Sequence, residues 1–93
     1  MYLMKFEWNE SKNKLNFKKH SITFEDAKVV FDSPLLTLLD NREDYGEDRW
    51  IGIGMIKSIV IVVTFTERND DTIRIISARK ATRNEKENYF KKI

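Results

Sequence analysis

Ninety-three residues without a single cysteine suffice for one small domain, residues 1–93, and exclude disulfides, cysteine-ligated zinc and thiol chemistry. Hydrophobic residues are 41% and aromatics 12%, so the chain can fill a core and is not a disordered tail. The net charge of +2 is unevenly spread, with +1 over residues 1–34, −4 over 35–71 and +5 over 72–93. The C-terminal quarter is therefore a candidate footprint for a polyanion, with a solvated helix as the bland alternative.

The opening "MYLMKFEWNE" has a charge at Lys5 and no apolar run of signal-peptide length. The longest apolar stretch, Ile59 to Val63, is too short to cross a bilayer, so a cytoplasmic protein with no membrane partner is expected. One proline and three glycines leave little room for linkers, and no internal repeat is present.

"MKFEW" alternates apolar and charged residues, as a short first strand does. Asn9 is a helix cap for "ESKNKLNFKKH", whose apolar face is thin: only Trp8, Leu15 and Phe17 offer burial. Thr23 caps a second helix with Asp26 three residues on. Phe24, Ala27, Val30 and Phe31 recur at helical spacing towards a core, and "DSP" stops the helix.

"LLTLLD" reads as a strand and "NREDYGED" as an acidic turn region. "RWIGIGMI" alternates, with Arg49, Ile51, Ile53 and Met55 on one face and Trp50, Gly52, Gly54 and Ile56 on the other. Two glycines on one face permit close approach of another group. "IVIVVTFTER" is the most buried-looking strand, and "TIRIISARK" follows the turn "NDD". Three strands with short turns predict an antiparallel meander. Thr82 and Glu85 form a capping box for a last helix, with Lys86, Tyr89, Phe90 and Ile93 on one face. The expected fold is α+β: an antiparallel sheet with two N-terminal helices and a C-terminal helix gathered on one side.

The chemistry on offer is basic. His20 is the single histidine. The acidic loop Asp40, Glu43, Asp44, Glu47 and Asp48 lacks the spacing of a calcium loop, so no metal or cofactor is expected. No phosphate loop, serine elbow or dinucleotide fingerprint is present. Glu67 and Arg68 close one strand; Arg74, Arg79 and Lys80 lie on the next. Pairing across the turn brings Arg68 towards Arg74. Simple alternation sets Arg74 and Arg79 on opposite faces unless a bulge near Ser77 intervenes.

Cleaving RNA without a metal needs a base for the 2′-hydroxyl, an acid for the leaving oxygen and cations for the phosphate. Glu67 and His20 are candidate bases, and a lysine or arginine can serve as acid. Arginine meets phosphate through its bidentate fork. Trp8 and Trp50 are candidate platforms for a splayed base, with core packing as the bland reading. Each arginine has its own bland reading, an ion pair with an acidic neighbour, and His20 that of a helix C-terminal residue favouring the dipole.

Two stretches carry a family resemblance. "FEWNESKNKLNFKKHSITFEDA" resembles the N-terminal signature of the BrnT toxins, with its phenylalanine–glutamate–tryptophan start, K-x-x-x-N-x-x-K-H and T-F-E-x-A. "RIISARKATRNEKENY" resembles their C-terminal signature, R-I-I-S-A-R-x-A-T-x-x-E. The resemblance implies a ribonuclease toxin of a type II toxin–antitoxin pair with a RelE-like fold. It also implies a cognate antitoxin of ribbon-helix-helix type, through which alone operator DNA is reached. Trp8, Lys12, Asn16, Lys19, His20 and Phe24 match the first signature; Arg74, Ser77, Arg79 and Glu85 match the second, and Arg68 suits the pattern. Asn9 stands where aspartate is commoner, and Ser21 where glycine is usual.

The resulting expectation is a metal-independent endoribonuclease. Arg68, Arg74, Arg79, His20, Lys12 and Glu67 are its catalytic candidates, and Trp8, Lys18, Lys19, Lys80 and Arg83 its RNA contacts. The alternative is a module that binds nucleic acid or an antitoxin without cleavage.

Overall fold

A computed structural model of the chain describes residues 4–69 and 71–93. Asp70, in the middle of the "NDD" turn, and the first three residues lie outside them. Along the chain come β1 (Lys5–Trp8), α1 (Glu10–His20), α2 (Phe24–Ala27), a 3-10 segment (Lys28–Asp32), β2 (Leu36–Asp40), β3 (Arg49–Ile56), β4 (Ile59–Arg68), β5 (Thr72–Lys80) and α3 (Arg83–Lys92). The sheet order is β1-β5-β4-β3-β2.

The meander expected for the last strands holds: β2, β3, β4 and β5 pair antiparallel in chain order. The sheet as a whole is mixed rather than antiparallel, because β1 lies parallel to β5. A parallel neighbour needs a crossover, and the segment from α1 through β4 supplies it. The second helix is also shorter than its apolar spacing suggests, one α-helical turn followed by the 3-10 segment.

The helices do not gather on one side. Ile61, Val63 and Phe65 on β4 pack with Ile73, Ile75 and Ala78 on β5 under Ile22, Phe24, Ala27 and Val30. The alternate residues Val60 and Val62 pack with Ile53 and Tyr89 on the other face. A strand with both faces apolar is a central strand, so helices must cover both. α3 therefore sits opposite α1 and α2.

Tyr89 is its anchor: the side chain is buried and its hydroxyl donates to the Pro34 carbonyl at 2.7 Å. Phe90 and Ile93 remain more than half exposed, so the helical face expected of them narrows to one residue. Gly54 is required where predicted. A Cβ there would lie 2.8 Å from Ser33 Oγ and 3.1 Å from Val30 Cβ, and Ser33 Oγ accepts from the Met55 N–H.

The acidic loop begins with a structural carboxylate rather than a solvated one. Asp40 is buried and accepts from the Arg42 Nε and Nη2 groups, both at 2.8 Å, which holds its pKa below the ordinary aspartate value. Among the described residues no helix is long and apolar enough to cross a membrane, and no group of His, Asp or Glu side chains converges as metal ligands would.

Candidate functional site

β5 carries a bulge. Thr64 pairs with Ser77 and Phe65 with Ile75, which leaves Ile76 without a partner. The extra residue restarts the alternation. Ile73, Ile75 and Ala78 now share the face under α1 and α2. Arg74, opposite Thr66, and Arg79, opposite Val62, share the α3 face. The arginines thus meet on one surface, but four β4 positions apart, about 13 Å at a rise of ~3.3 Å per residue.

At the first end of β5, Arg74 and Arg68 donate to the same oxygen, Glu7 Oε2, at 2.8 and 3.2 Å. Parallel pairing sets Glu7 opposite Arg74 and makes this possible. The approach of Arg68 to Arg74 expected across the turn is therefore real. Two guanidinium groups share one carboxylate, so the cluster keeps a net positive charge. Along the chain Glu7 is one letter of the first signature and of the strand alternation; only the strand order gives it arginine partners.

At the other end, Arg79 donates to both Glu85 oxygens, at 2.7 and 2.8 Å. Glu85 also accepts from the Thr82 N–H at 2.8 Å and completes the capping box that starts α3. The Arg79 hydrogen bond, above all, holds the Glu85 carboxyl down at about 2. Glu85 in turn stabilises the Arg79 charge, and nearby Arg42 opposes it.

Lys19, His20, Ser21, Arg79, Lys80 and Thr82 line an open concavity beside this pair. Lys19 and His20 come from the last turn of α1, where cations suit the helix dipole. Ser21 ends that helix with φ +60, so the departure from glycine costs a left-handed serine. Among the described residues Lys19, His20 and Lys80 have no ion-pair partner.

Asn16 holds the two walls of the concavity together. Its Nδ2 donates to the carbonyls of Ala78 and Ile22, at 2.8 and 2.9 Å, and its Oδ1 accepts from the Ala78 N–H at 3.1 Å. β1 stops opposite Ile75, so Ala78 has no strand on that edge. The Asn16 amide takes the place of the missing strand. This corrects the expected anchoring of α1: Leu15 and Phe17 are 66% and 54% exposed, while Asn16 is buried. A polar side chain serves because the groups it meets are backbone amides.

The remaining candidates lie elsewhere. Trp8 packs edge-on against Phe24, and its indole N–H donates to Glu10 at 3.2 Å. Trp50 packs against the same core. Lys12 is in the first turn of α1, about 12 Å along the axis from His20. Lys18 is exposed in the last turn of α1, and exposed Arg83 lies 3.4 Å from Glu87. Glu67 pairs with Ile73 on the α1 face, so the sheet separates it from Arg74 and Arg79.

A family model described as the ribonuclease toxin BrnT of a type II toxin–antitoxin system matches residues 8–85. Among solved structures, the crystal structure of the Brucella abortus ribonuclease toxin BrnT is similar, with a TM-score of 0.65 and 26% identity. The likeness covers 86% of this chain and 99% of that one. Comparison with curated proteins gives no match. The family match runs from Trp8 on β1 to Glu85 in the α3 capping box and takes in both arginine clusters and the concavity; the chain belongs to the BrnT family of ribonuclease toxins of type II toxin–antitoxin systems.

Proposed function

We propose that this chain is a metal-independent endoribonuclease that arrests growth, of RelE-like ancestry, and that the concavity at the α1 C-terminus is where it cuts. The cognate antitoxin is of ribbon-helix-helix type, neutralises the toxin and alone contacts operator DNA. The observation carrying this reading is the meeting of His20, Lys19, Lys80 and Arg79 in one open site. An imidazole, two ammonium groups and a guanidinium are the parts that phosphodiester transfer requires.

In the proposed step His20 takes the ribose 2′-hydroxyl proton. The 2′-oxygen forms a bond to phosphorus, and the bond from phosphorus to the 5′-oxygen breaks. The ammonium of Lys19 or Lys80 protonates the departing 5′-oxygen. The products are a 2′,3′-cyclic phosphate and a 5′-hydroxyl. Arg79, oriented by Glu85, stabilises the phosphorane. Arg74 and Arg68 hold a second phosphate further along the strand, Lys18 and Arg83 flank the path, and Lys12 extends it along α1. Glu67 has no part in this step: it lies five β4 positions from Val62, the partner of Arg79, about 17 Å at a rise of ~3.3 Å per residue.

The test is incubation of the purified chain with RNA in EDTA, beside His20→Ala. Cleavage in EDTA with a cyclic-phosphate end, lost in the variant, supports the reading. Cleavage that EDTA abolishes overturns metal independence. Salt-dependent binding without cleavage replaces the enzyme by a binding module.

A further inference from the structure

A second recess adjoins the concavity and shares Ser21 and Lys80 with it as a common rim. It has a volume of about 380 Å³, within the range of roughly 300–1,000 Å³ typical of small-molecule sites. Its walls are Ile22, Ile56, Ile59 and Ile61, an apolar lining between α2 and the β3–β4 turn. Two charged residues stand over it from opposite elements, Asp26 on α2 and Lys57 in the turn.

Both side chains are uncommitted. The neighbouring Glu25 is taken by Lys28 at 2.9 Å, whereas the Asp26 carboxylate has no ion-pair partner among the described residues. Only the Asp26 backbone is engaged, its N–H donating to Thr23 Oγ1 at 3.1 Å. Lys57 is exposed and held in the turn with φ +55, a left-handed conformation that costs a lysine energy. An apolar slot with one acceptor edge and one donor edge matches a planar heterocycle with one donor edge and one acceptor edge.

We propose that this recess is a base-binding subsite selective for guanine, next to the scissile phosphate; the proposal rests on the ribonuclease reading of the adjoining concavity. Guanine is the one RNA base with two adjacent donors, N1–H and the N2 amino group, which a carboxylate receives together. Adenine and cytosine each place an acceptor nitrogen beside the amino group, and uracil flanks its single N–H with carbonyls, so all three set lone pairs against Asp26. On the other edge guanine offers O6 and N7 as acceptors, the groups lysine ordinarily meets. The isoleucines cover the base faces, and Lys80 at the rim lies between base and phosphate.

The experiment titrates the four nucleoside 3′-monophosphates into the protein and follows the methyl resonances of Ile56, Ile59 and Ile61. In parallel, the cuts in a mixed-sequence RNA are mapped. Guanosine 3′-monophosphate is expected to bind at least about tenfold more tightly than the others, the discrimination a bidentate contact provides. Asp26→Asn should remove that preference with the fold unchanged, and Lys57→Ala should weaken it. Equal affinities for the four nucleotides, methyl shifts elsewhere, or a preference that survives Asp26→Asn overturns the proposal. Cleavage without base bias overturns the subsite alone. Selective binding of the guanine nucleotide without any RNA cleavage supports the subsite and overturns the ribonuclease reading.

Discussion

The two ends of β5 present cations in opposite ways. At the first, Arg68 and Arg74 divide one carboxylate, Glu7, and positive charge is left over. At the second, Arg79 is matched by Glu85 through two hydrogen bonds, and the surplus charge belongs to Lys19 and Lys80 around it. A shared carboxylate leaves guanidinium groups free to meet phosphate. A matched one fixes where the guanidinium points. In the proposed mechanism the first end holds a strand and the second orients the reacting phosphate, because a preorganised donor costs no rearrangement during reaction.

The substitution that separates the ends most is Arg79→Ala. It should lower RNA cleavage by about 100-fold, the scale for loss of one preorganised donor, and relieve growth arrest with the circular dichroism spectrum unchanged. Arg74→Ala should instead weaken RNA binding with a smaller effect on the rate of bound substrate. If single-turnover rates fall equally in both variants, the division between holding and orienting is wrong.

Asn16→Ala leaves the Ala78 N–H and carbonyl without partners and should cost about 2–3 kcal/mol in urea unfolding. An unchanged midpoint would show that water replaces the amide without penalty.

The matched end is also acid-sensitive. The Glu85 carboxyl is held at about 2 against an ordinary 4.5. A depressed pKa contributes stability that is full above the unfolded value and lost as pH falls through the folded one. Thermal melts should therefore weaken between pH about 4.5 and about 2 more steeply in the wild type than in Glu85→Gln. Parallel slopes would uncouple Glu85 from Arg79.

At the shared end, Glu7→Gln frees a charge already in surplus. RNA binding should tighten about threefold at low salt, with a steeper salt dependence. Weaker binding would mean that Glu7 orients the arginines instead. Ser21→Gly relieves the left-handed serine and should raise stability by about 1 kcal/mol. A lower melting temperature would show that the serine side chain contributes more than its backbone costs.

Much of the frame was legible along the chain. Alternation marked β3 and β5, a continuous apolar run marked β4, and their short turns dictated the meander. Thr82 and Glu85 marked the start of α3, and "DSP" marked the end of the helical segment before β2. The site was legible in part. The cations were visible, and a bulge was the stated condition for Arg74 and Arg79 to share a face. Glu7 and Asn16 were not visible as site residues. Glu7 meets an arginine 67 positions away, and Asn16 meets Ala78 62 positions away. No local period encodes such partners.

The sequence by itself determined which segments become strands or helices, because backbone preference and apolar spacing act over a few residues. It also determined the charge available, since guanidinium and ammonium groups are present whatever the fold. Tertiary structure decided the order of the strands, the two-sided packing of β4 and the bulge at Ile76. Those features depend on burying apolar faces and pairing backbone groups between distant segments, which only the folded chain brings together.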